Sequence, residues 1–326
     1  MRTKILLIVL VFALVPTVRA QDPAPPPPPA GPMVGLSMIV TDKDGKGVDT
    51  IRKDQIRVIE DGEEQTVLGI EADERPVDYV IALDSSGSFN RLFVSALEAA
   101  KLLILNRRPQ DQVALIRFIG RDNVQKVQDF STDRDILLKA LDGSYLEGGR
   151  SAVIDAFYLS AEYVDEYNKS NDGRRKVAVF ITDGEDRNSY YTQEQLIKLL
   201  REIGVQVFIL GLVVELDKEA GFTRLSPRQK AEKLLNAVAE ESGGRVFYPK
   251  DKKELVEAAA QIILDVRAQF RIKYQSTRAS KNGYRKIDVK YVAAPGDEKR
   301  NLITPRGYFV GPRTPPDKKS EKKKKS

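Results

Sequence analysis

One carboxylate and two hydroxyls stand at alternate positions directly after an apolar segment of the chain. The segment Val77–Leu83 is mostly apolar and contains β-branched and aromatic residues, a composition that predicts a buried strand. Asp84, Ser86 and Ser88 then follow at positions i, i+2 and i+4 of the predicted loop. All three side chains end in hard oxygen atoms, which are the ligands that magnesium prefers.

A second acidic loop follows a second apolar strand. Val177–Thr182 is the predicted strand, and Asp183 begins the loop after it, with Glu185 and Asp186 close behind. Carboxylates and hydroxyls that meet at strand ends suit a magnesium ion, which takes oxygen atoms at about 2.0–2.1 Å in nearly octahedral geometry. In open parallel sheets, ligands bind beyond the carboxyl ends of the strands. The two loops therefore predict a divalent-cation site.

Two residue types are missing from the 326-residue sequence, and their absence excludes several kinds of chemistry. There is no histidine, which excludes Ser-His-Asp and Cys-His catalysis and histidine-ligated zinc and haem. There is no cysteine, which excludes disulfides and a lipidated N-terminal cysteine. The formal net charge of +6 is concentrated at the two ends of the chain, so a basic fold that binds nucleic acid is not indicated.

Both ends of the chain differ in composition from the body between them. Residues 1–20 begin with two basic residues, Arg2 and Lys4, followed by an apolar run and the cleavage site Val18-Arg19-Ala20, which predicts a secretory signal peptide cleaved after Ala20. Residues 21–32 are a proline-rich linker, and residues 313–326 are a lysine-rich tail. We expect the tail to be disordered and to associate loosely with the cell envelope. The ends thus predict export to the periplasm or the exterior, without a transmembrane span.

The pattern of apolar residues divides the body of the chain into three segments. Residues 74–267 alternate strands with helices, which predicts an α/β fold with a doubly wound, mostly parallel sheet and helices on both faces. Residues 33–73 and 268–312 contain only short strands and turns. Three short strands make a poor core alone. We therefore expect these flanks to pair into one small β-domain.

Capping residues mark several helix boundaries within the α/β segment. Thr132 and Asp251 each precede an amphipathic run and are predicted N-caps. Thr192 begins a Thr-Gln-Glu-Gln stretch that resembles a capping box, and Gly204 is predicted to end that helix. A helix from about Arg91 to Asn106 is predicted after the first acidic loop.

The loops in this order and spacing resemble those of a von Willebrand factor type A domain. The three segments that carry the resemblance are Asp-x-Ser-x-Ser from Asp84, Gly-Gly-x-Ser-Ala from Gly148 and Thr-Asp-Gly-Glu from Thr182. The resemblance spans about Arg75 to Arg267, and the flanks are similar to those of exported bacterial proteins built around such a domain. It implies a metal-ion-dependent adhesion site, abbreviated MIDAS.

The resemblance also implies a role for each residue of the site. Ser86 and Ser88 would bind the metal directly, Asp84 directly or through water, and Asp183 through water. Ser151 stands where the family usually has threonine, and it lacks the methyl group that limits the rotamers of threonine, so affinity is expected to be lower. Magnesium is the expected ion, with Mn²⁺ and Ca²⁺ as alternatives. The remaining position would take a carboxylate oxygen from a partner protein.

Five residues in loops at the same end of the sheet are candidates for contact with that partner. They are Phe89, Tyr145, Arg150, Glu185 and Tyr190. Aromatic residues and arginine are over-represented in binding hot spots. Arg150 is expected to point outward, where it would receive the partner's carboxylate. The resemblance implies a non-enzymatic module that binds an unidentified protein through its Asp or Glu side chain, and we expect the module to be a monomer.

Two alternative functions remain open, a metal-dependent hydrolase and a structural component of the cell envelope. A metal-dependent hydrolase would use a metal-bound water, although the chain has no phosphate-binding GxxxxGK[ST] loop and no esterase elbow. A dehalogenase-like phosphatase would need a second acid two residues after Asp84, where Ser86 stands. A structural component of the cell envelope would keep the fold with a non-functional metal site. Compared with these alternatives, the binding module explains more of the candidate site residues.

Overall fold

The structure is a computed structural model that describes residues 31–120, 123–169, 173–219, 225–278 and 282–312. The side chains of Ser88 and Arg91 fall outside this description. So do the predicted signal peptide, most of the proline-rich linker and the lysine-rich tail. Across the described ranges, no helix is both long enough and apolar enough to cross a membrane.

Strands and helices alternate through the middle of the chain, and strands alone flank them. The strands are β1 Met33–Thr41, β2 Ile56–Glu60, β3 Glu63–Gln65, β4 Val67–Ala72, β5 Val77–Asp84, β6 Gln112–Phe118, β7 Val124–Ser131, β8 Arg175–Thr182, β9 Gln206–Gly211, β10 Val246–Phe247, β11 Phe270–Gln275, β12 Gly283–Tyr291, β13 Asn301–Ile303 and β14 Gly307–Val310. The helices are α1 Phe93–Asn106, α2 Arg134–Asp142, α3 Val153–Asn168, α4 Gln193–Ile203, α5 Pro227–Ser242 and α6 Lys252–Arg267.

The central sheet has six strands in the order β10-β9-β8-β5-β6-β7. Neighbouring strands pair in parallel, except that β7 runs antiparallel to β6 at one edge. One face is covered by α1, α2 and α6, and the other by α3, α4 and α5. The chain leaves β5 toward β6 on one side and returns to β8 on the other, so the strand order switches between β5 and β8. The predicted α/β fold class is confirmed.

Burial on both faces explains why β5 is an almost continuous apolar run. All eight of its residues are buried. Tyr79, Ile81 and Leu83 enter the core under α1 and α6, whereas Val80 and Ala82 enter the core under α3. A strand that lies between two helical layers must be apolar at successive positions, because both of its faces are removed from water.

The two flanks of the chain pair with each other in two four-stranded sheets. Their orders are β13-β1-β11-β4 and β14-β12-β2-β3, and all pairings within them are antiparallel. Strand β1 from the N-terminal flank pairs with β11 from the C-terminal flank, and β2 pairs with β12. Met38, Val58, Ile272 and Tyr274 share one core between the sheets. The expected β-domain from both flanks, called the β-unit below, is therefore present.

Helix caps agree with the sequence at most boundaries and differ at two. Thr192 accepts a hydrogen bond from the Gln195 amide as its capping box requires, and Gly204 ends the helix at φ +62°. The N-cap of α2 is Asp133 rather than Thr132, because the Asp133 carboxylate accepts from two amides of the first turn. Helix α1 begins at Phe93 rather than Arg91, since a 3₁₀ turn comes first.

Candidate metal centre

Parallel pairing of β5 with β8 brings the two acidic loops to one edge of the sheet. Leu83 of β5 lies opposite Ile181 of β8, so Asp84 and Asp183 leave the sheet side by side. Asp84 is fully buried, and Asp183 is only 2% exposed. Two carboxylates thus lie almost out of water at the point where the strand order switches, which is where open α/β sheets bind ligands.

Hydrogen bonds from three segments of the chain converge on the Asp84 carboxylate. Its Oδ1 accepts from the Ser86 amide at 2.9 Å. Its Oδ2 accepts from the Thr182 hydroxyl at 2.6 Å and lies 3.4 Å from the donating Ser151 hydroxyl. Among the described residues, no lysine or arginine forms an ion pair with Asp84. The carboxylate is therefore positioned by neutral donors rather than by a cationic side chain.

Burial, together with the neighbouring Asp183 carboxylate, raises the pKa of Asp84 to about 7. Hydrogen bonds from Thr182 and Ser86 act in the opposite direction but do not offset these two effects. A cation between the loops would relieve both the desolvation and the repulsion. The donors are carboxylate and hydroxyl oxygens, a set that fits magnesium and not a metal that prefers nitrogen or sulfur.

The described part of the chain contains no cluster of three or more acidic, histidine or cysteine side chains that could hold a metal by itself. The candidate site therefore consists of two carboxylates, those of Asp84 and Asp183, and the hydroxyl groups around them. A magnesium ion commonly binds in this way, with one or two carboxylates and several water or neutral oxygen ligands. The residues present fit such an ion.

Glycines hold the loop that carries Ser151 close to the first acidic loop. The Gly148 amide donates to the Ser85 carbonyl at 3.1 Å, and the Gly87 amide donates to the Gly149 carbonyl at 3.2 Å. Gly149 has φ +107°, and a Cβ atom there would lie 3.0 Å from Ile119. The Gly-Gly pair is thus required by the backbone, and it places Ser151 at 2% exposure beside Asp84.

The second acidic loop, which begins at Asp183 after β8, is held in place by hydrogen bonds among its own first residues. The Gly184 amide donates to the Thr182 hydroxyl at 3.0 Å, and the Glu185 amide donates to the Asp183 carboxylate at 2.9 Å. Gly184 has φ +74°, and a Cβ atom on it would lie 2.8 Å from Leu235. The same Thr182 hydroxyl therefore joins this turn to Asp84, so the two acidic loops form one hydrogen-bonded unit.

Two further aspartates near the site fasten loops to helix α3. Asp155 is 1% exposed and accepts from the amides of Tyr190 and Tyr191 at 2.8–2.9 Å. Asp186 accepts from the Ile154 amide at 3.2 Å, at the start of α3. Both carboxylates accept hydrogen bonds from backbone amides, which supports a structural role for them rather than metal binding.

The structure brings Asp84, Ser86, Ser151 and Asp183 together at one edge of the sheet. Ser88 lies in the 3₁₀ turn after Ser86, and its predicted role as a ligand concerns a side chain outside the described atoms. Thr182 is the contributor that the sequence argument missed. The sequence feature that could have indicated Thr182 is a hydroxyl residue at the last position of β8, directly before Asp183.

The expected place of Phe89 on the partner-binding rim is wrong. Its side chain is 0% exposed and belongs to the core cluster that also contains Phe93 and Leu83. The 3₁₀ turn that follows Ser86 directs the ring inward, where it is removed from water. A loop position in the sequence therefore did not imply a surface position.

The other four rim candidates have side chains that reach the surface. Tyr145 is 58% exposed and lies under the Arg117 guanidinium, 4.0 Å from the ring centroid. Arg150 is exposed, and Glu185 and Tyr190 are half-buried. Their role in binding a partner stays a prediction.

The sequence profile of the von Willebrand factor type A domain matches residues 78–261, and the chain belongs to this family. The resemblance inferred from the loops is thus confirmed. Domains of this family are typically protein-interaction modules and often bind a divalent metal. No curated protein shows a significant match to the chain.

Several solved structures are similar to the chain at low sequence identity. An aerotolerance-related membrane protein from Bacteroides fragilis NCTC 9343 is 20% identical, with 58% of this chain and 98% of that chain covered and a TM-score of 0.44. BatB from Bacteroides thetaiotaomicron is 20% identical, with 57% and 98% covered and a TM-score of 0.43. Proximal thread matrix protein 1 from the mussel byssus, with zinc in its MIDAS motif, is 17% identical, with 64% and 49% covered and a TM-score of 0.45.

Proposed function

We propose that this protein is an exported, non-enzymatic module that binds a protein partner through a magnesium ion. Asp84, Ser86, Ser88 and Ser151 would hold the ion, with Asp183 acting through water. The observation that carries the proposal is the buried Asp84 carboxylate, whose pKa is raised to about 7 and which neutral donors from three segments orient. Such a group is costly to keep without a cation.

The bound ion would supply an open coordination position for a carboxylate of the partner. The chain's own residues would fix the oxygen atoms around this position and so make it selective for a carboxylate of the partner. Thr182 and the Ser86 amide orient Asp84, and the Asp183 side chain is oriented by the Glu185 amide. Because these groups stand at the ends of buried strands, little ordering is needed when the partner arrives.

A cleft of about 480 Å³ next to the candidate metal centre offers room for a segment of the partner. Asp183 lines it, together with Glu185, Arg187, Glu215 and Asp217. Arg187 forms an ion pair with Glu185 at 2.5 Å. A partner that places its own carboxylate on the metal would lay the adjoining residues in this cleft.

Export is the part of the proposal that rests on composition. Residues 1–20 have the basic start, apolar run and small residues of a signal peptide, so the mature protein would act in the periplasm or outside the cell. The lysine-rich tail at residues 313–326 would hold it loosely to anionic envelope polymers.

Retention of envelope proteins on the immobilised chain tests the proposed function. We expect at least one envelope protein to bind in Mg²⁺, to elute with EDTA and to be lost when the column carries Asp84→Ala. Asp288→Ala is the matched control, since it removes an exposed carboxylate from β12 in the β-unit. Equal retention by wild type and Asp84→Ala would show that binding does not use the metal centre, and no retention by wild type would favour a structural role.

Magnesium affinity is expected to depend on pH through Asp84. Because the pKa of this carboxyl rises from 3.8 to about 7 on folding, its proton stabilises the metal-free protein, and this stabilisation is lost as the pH rises through that interval. Magnesium needs the ionised form and competes with the proton. Affinity should be roughly tenfold weaker at pH 6 than at pH 8. Calorimetric titrations at the two pH values measure this ratio, and equal affinities would contradict the assignment of Asp84 as a ligand.

A further inference from the structure

A second cleft, of about 320 Å³, lies at the edge of the central sheet opposite the candidate metal centre. It is formed between the sheet and the β-unit. Arg175 at the start of β8 and Gly204 after α4 line it from one side, whereas Leu36 of β1 and Tyr308 of β14 line it from the other. A ligand in this cleft would contact both units.

The lining of this cleft is strongly basic. Five basic side chains reach it against one carboxylate, that of Glu202; the five are Arg75, Arg174, Arg175, Lys176 and Arg201. Three of the five have a carboxylate of their own at 2.6–2.8 Å, namely Arg174 with Asp78, Lys176 with Asp165 and Arg201 with Glu241. Their charges are largely compensated within the protein, so they do not by themselves indicate a ligand.

Arg175 is different, because it shares its carboxylate with another arginine. Arg75 takes both oxygens of Asp73, at 2.8 Å and 2.7 Å. The Arg175 Nε atom is left 4.0 Å from Asp73, beyond hydrogen-bond distance. The nearby Asp111 carboxylate is occupied as well, since it accepts from the amides of Val77 and Arg108.

The Arg175 side chain is only 5% exposed, yet two of its nitrogen atoms have no acceptor among the described residues. These are Nε and Nη1, whereas Nη2 donates to the Val266 carbonyl at 2.8 Å. Burial lowers the pKa of Arg175, which is the sign expected for a cation that lacks sufficient compensation. A buried guanidinium with unsatisfied donors costs free energy unless an anion accepts from it.

We propose that this cleft is a phosphate-binding site, in which the Arg175 side chain shifts so that Nε and Nη1, which are closed to solvent in this structure, bind a phosphate group. A guanidinium presents its N–H groups as a planar fork that matches two oxygens of a phosphate. Arg75 and Lys176 also line the cleft, and although each is paired with an aspartate, both would add positive potential around the bound phosphate. Inorganic phosphate and a phosphate monoester share this chemistry. Since both units line the cleft, the bound group would strengthen their contact.

Titration of the arginine Nε–H resonances of the full-length, ¹⁵N-labelled protein with inorganic phosphate and with glycerol 3-phosphate tests the proposal. Ionic strength is held constant with sodium chloride, and EDTA keeps the result independent of the metal centre. We expect a saturable shift of the Arg175 resonance and a rise in the melting temperature of several degrees at saturating ligand. If only the monoester gives these effects, the source is an esterified phosphate, and if only inorganic phosphate gives them, the source is free phosphate. A response to both shows that the site recognises the phosphate group alone.

Arg175→Gln should lose both effects, whereas Arg57→Gln, which removes an exposed arginine of β2, should keep them. Arg75→Gln is a second variant that leaves Arg175 in place. It frees Asp73 to pair with Arg175 and is expected to weaken phosphate binding at least tenfold. The proposal is overturned if neither ligand shifts the Arg175 resonance of the wild type in a saturable way, a result that does not depend on any variant folding.

Discussion

Replacing Asp84 with alanine is expected to abolish magnesium binding while the protein remains folded. Asp84 is the buried carboxylate on which Ser86, Ser151 and Thr182 converge, so its loss removes both an anionic oxygen and the group that orders the hydroxyls. We expect the dissociation constant to rise by more than a hundredfold, as other carboxylates in the described region are not clustered to replace it. Isothermal titration with Mg²⁺ measures the change.

In the absence of metal, removing the charge of Asp84 is expected to leave the stability of the protein unchanged or to increase it. Since burial and Asp183 raise the pKa of Asp84 to about 7, its ionised form opposes folding at pH 8 when no cation is present. Asp84→Asn removes the charge and keeps an acceptor for the Ser86 amide. In EDTA at pH 8, this variant should melt at the same temperature as wild type or higher. A large drop in melting temperature would show that Asp84 is a purely structural residue.

Asp288→Ala serves as the control for both experiments. It removes an exposed carboxylate of β12, which has a lysine, Lys290, 3.5 Å away. Pairs of this kind contribute little to stability, because both charges remain in water. The variant should bind magnesium as wild type does, and undiminished binding by Asp84→Ala as well would contradict the assigned site.

Much of the fold could be predicted because burial leaves a direct trace in the sequence. A strand covered on both faces must be apolar throughout, as Val77–Leu83 is, and a helix that ends in a left-handed residue favours glycine, as at Gly204. The strand β13 could not be predicted in the same way. It consists of Asn301–Ile303, which has one polar residue among three, and its pairing with β1 is decided by contacts distant in sequence.

The candidate site was predictable as far as it depends on loops that begin at strand ends. Parallel pairing brings the carboxyl ends of neighbouring strands together, so Asp84 and Asp183 could be paired before the structure was known. Side-chain direction was the part that the sequence did not determine. Thr182 points to Asp84 and Phe89 points into the core, and both follow from the local path of the backbone.

Replacing Glu60 with alanine is expected to destabilise the β-unit more than either of the other substitutions proposed there, Arg57→Gln and Asp288→Ala. Glu60 is 0% exposed in β2, and its carboxylate accepts from the hydroxyls of Ser276 at 2.7 Å, Tyr274 at 2.8 Å and Tyr308 at 3.1 Å. Those donors belong to the C-terminal flank, so one N-terminal side chain joins β2 to β11 and β14. Burial, with Glu60 nearby, raises the pKa of Tyr308 to about 12, so its hydroxyl remains a donor at neutral pH.

Alanine at this position would leave three buried hydroxyls without their acceptor and a cavity where the carboxylate was. We expect a loss of about 3–5 kcal/mol in the free energy of unfolding of the β-unit, measured by urea denaturation of the full chain. Glu60→Gln keeps one acceptor oxygen and should lose less. Because Glu60 lies in the β-unit rather than at the metal centre, magnesium affinity of the folded Glu60→Ala protein should equal that of wild type. A loss below about 1 kcal/mol would mean that the hydroxyls find other acceptors, and that the two flanks are held together by apolar packing alone.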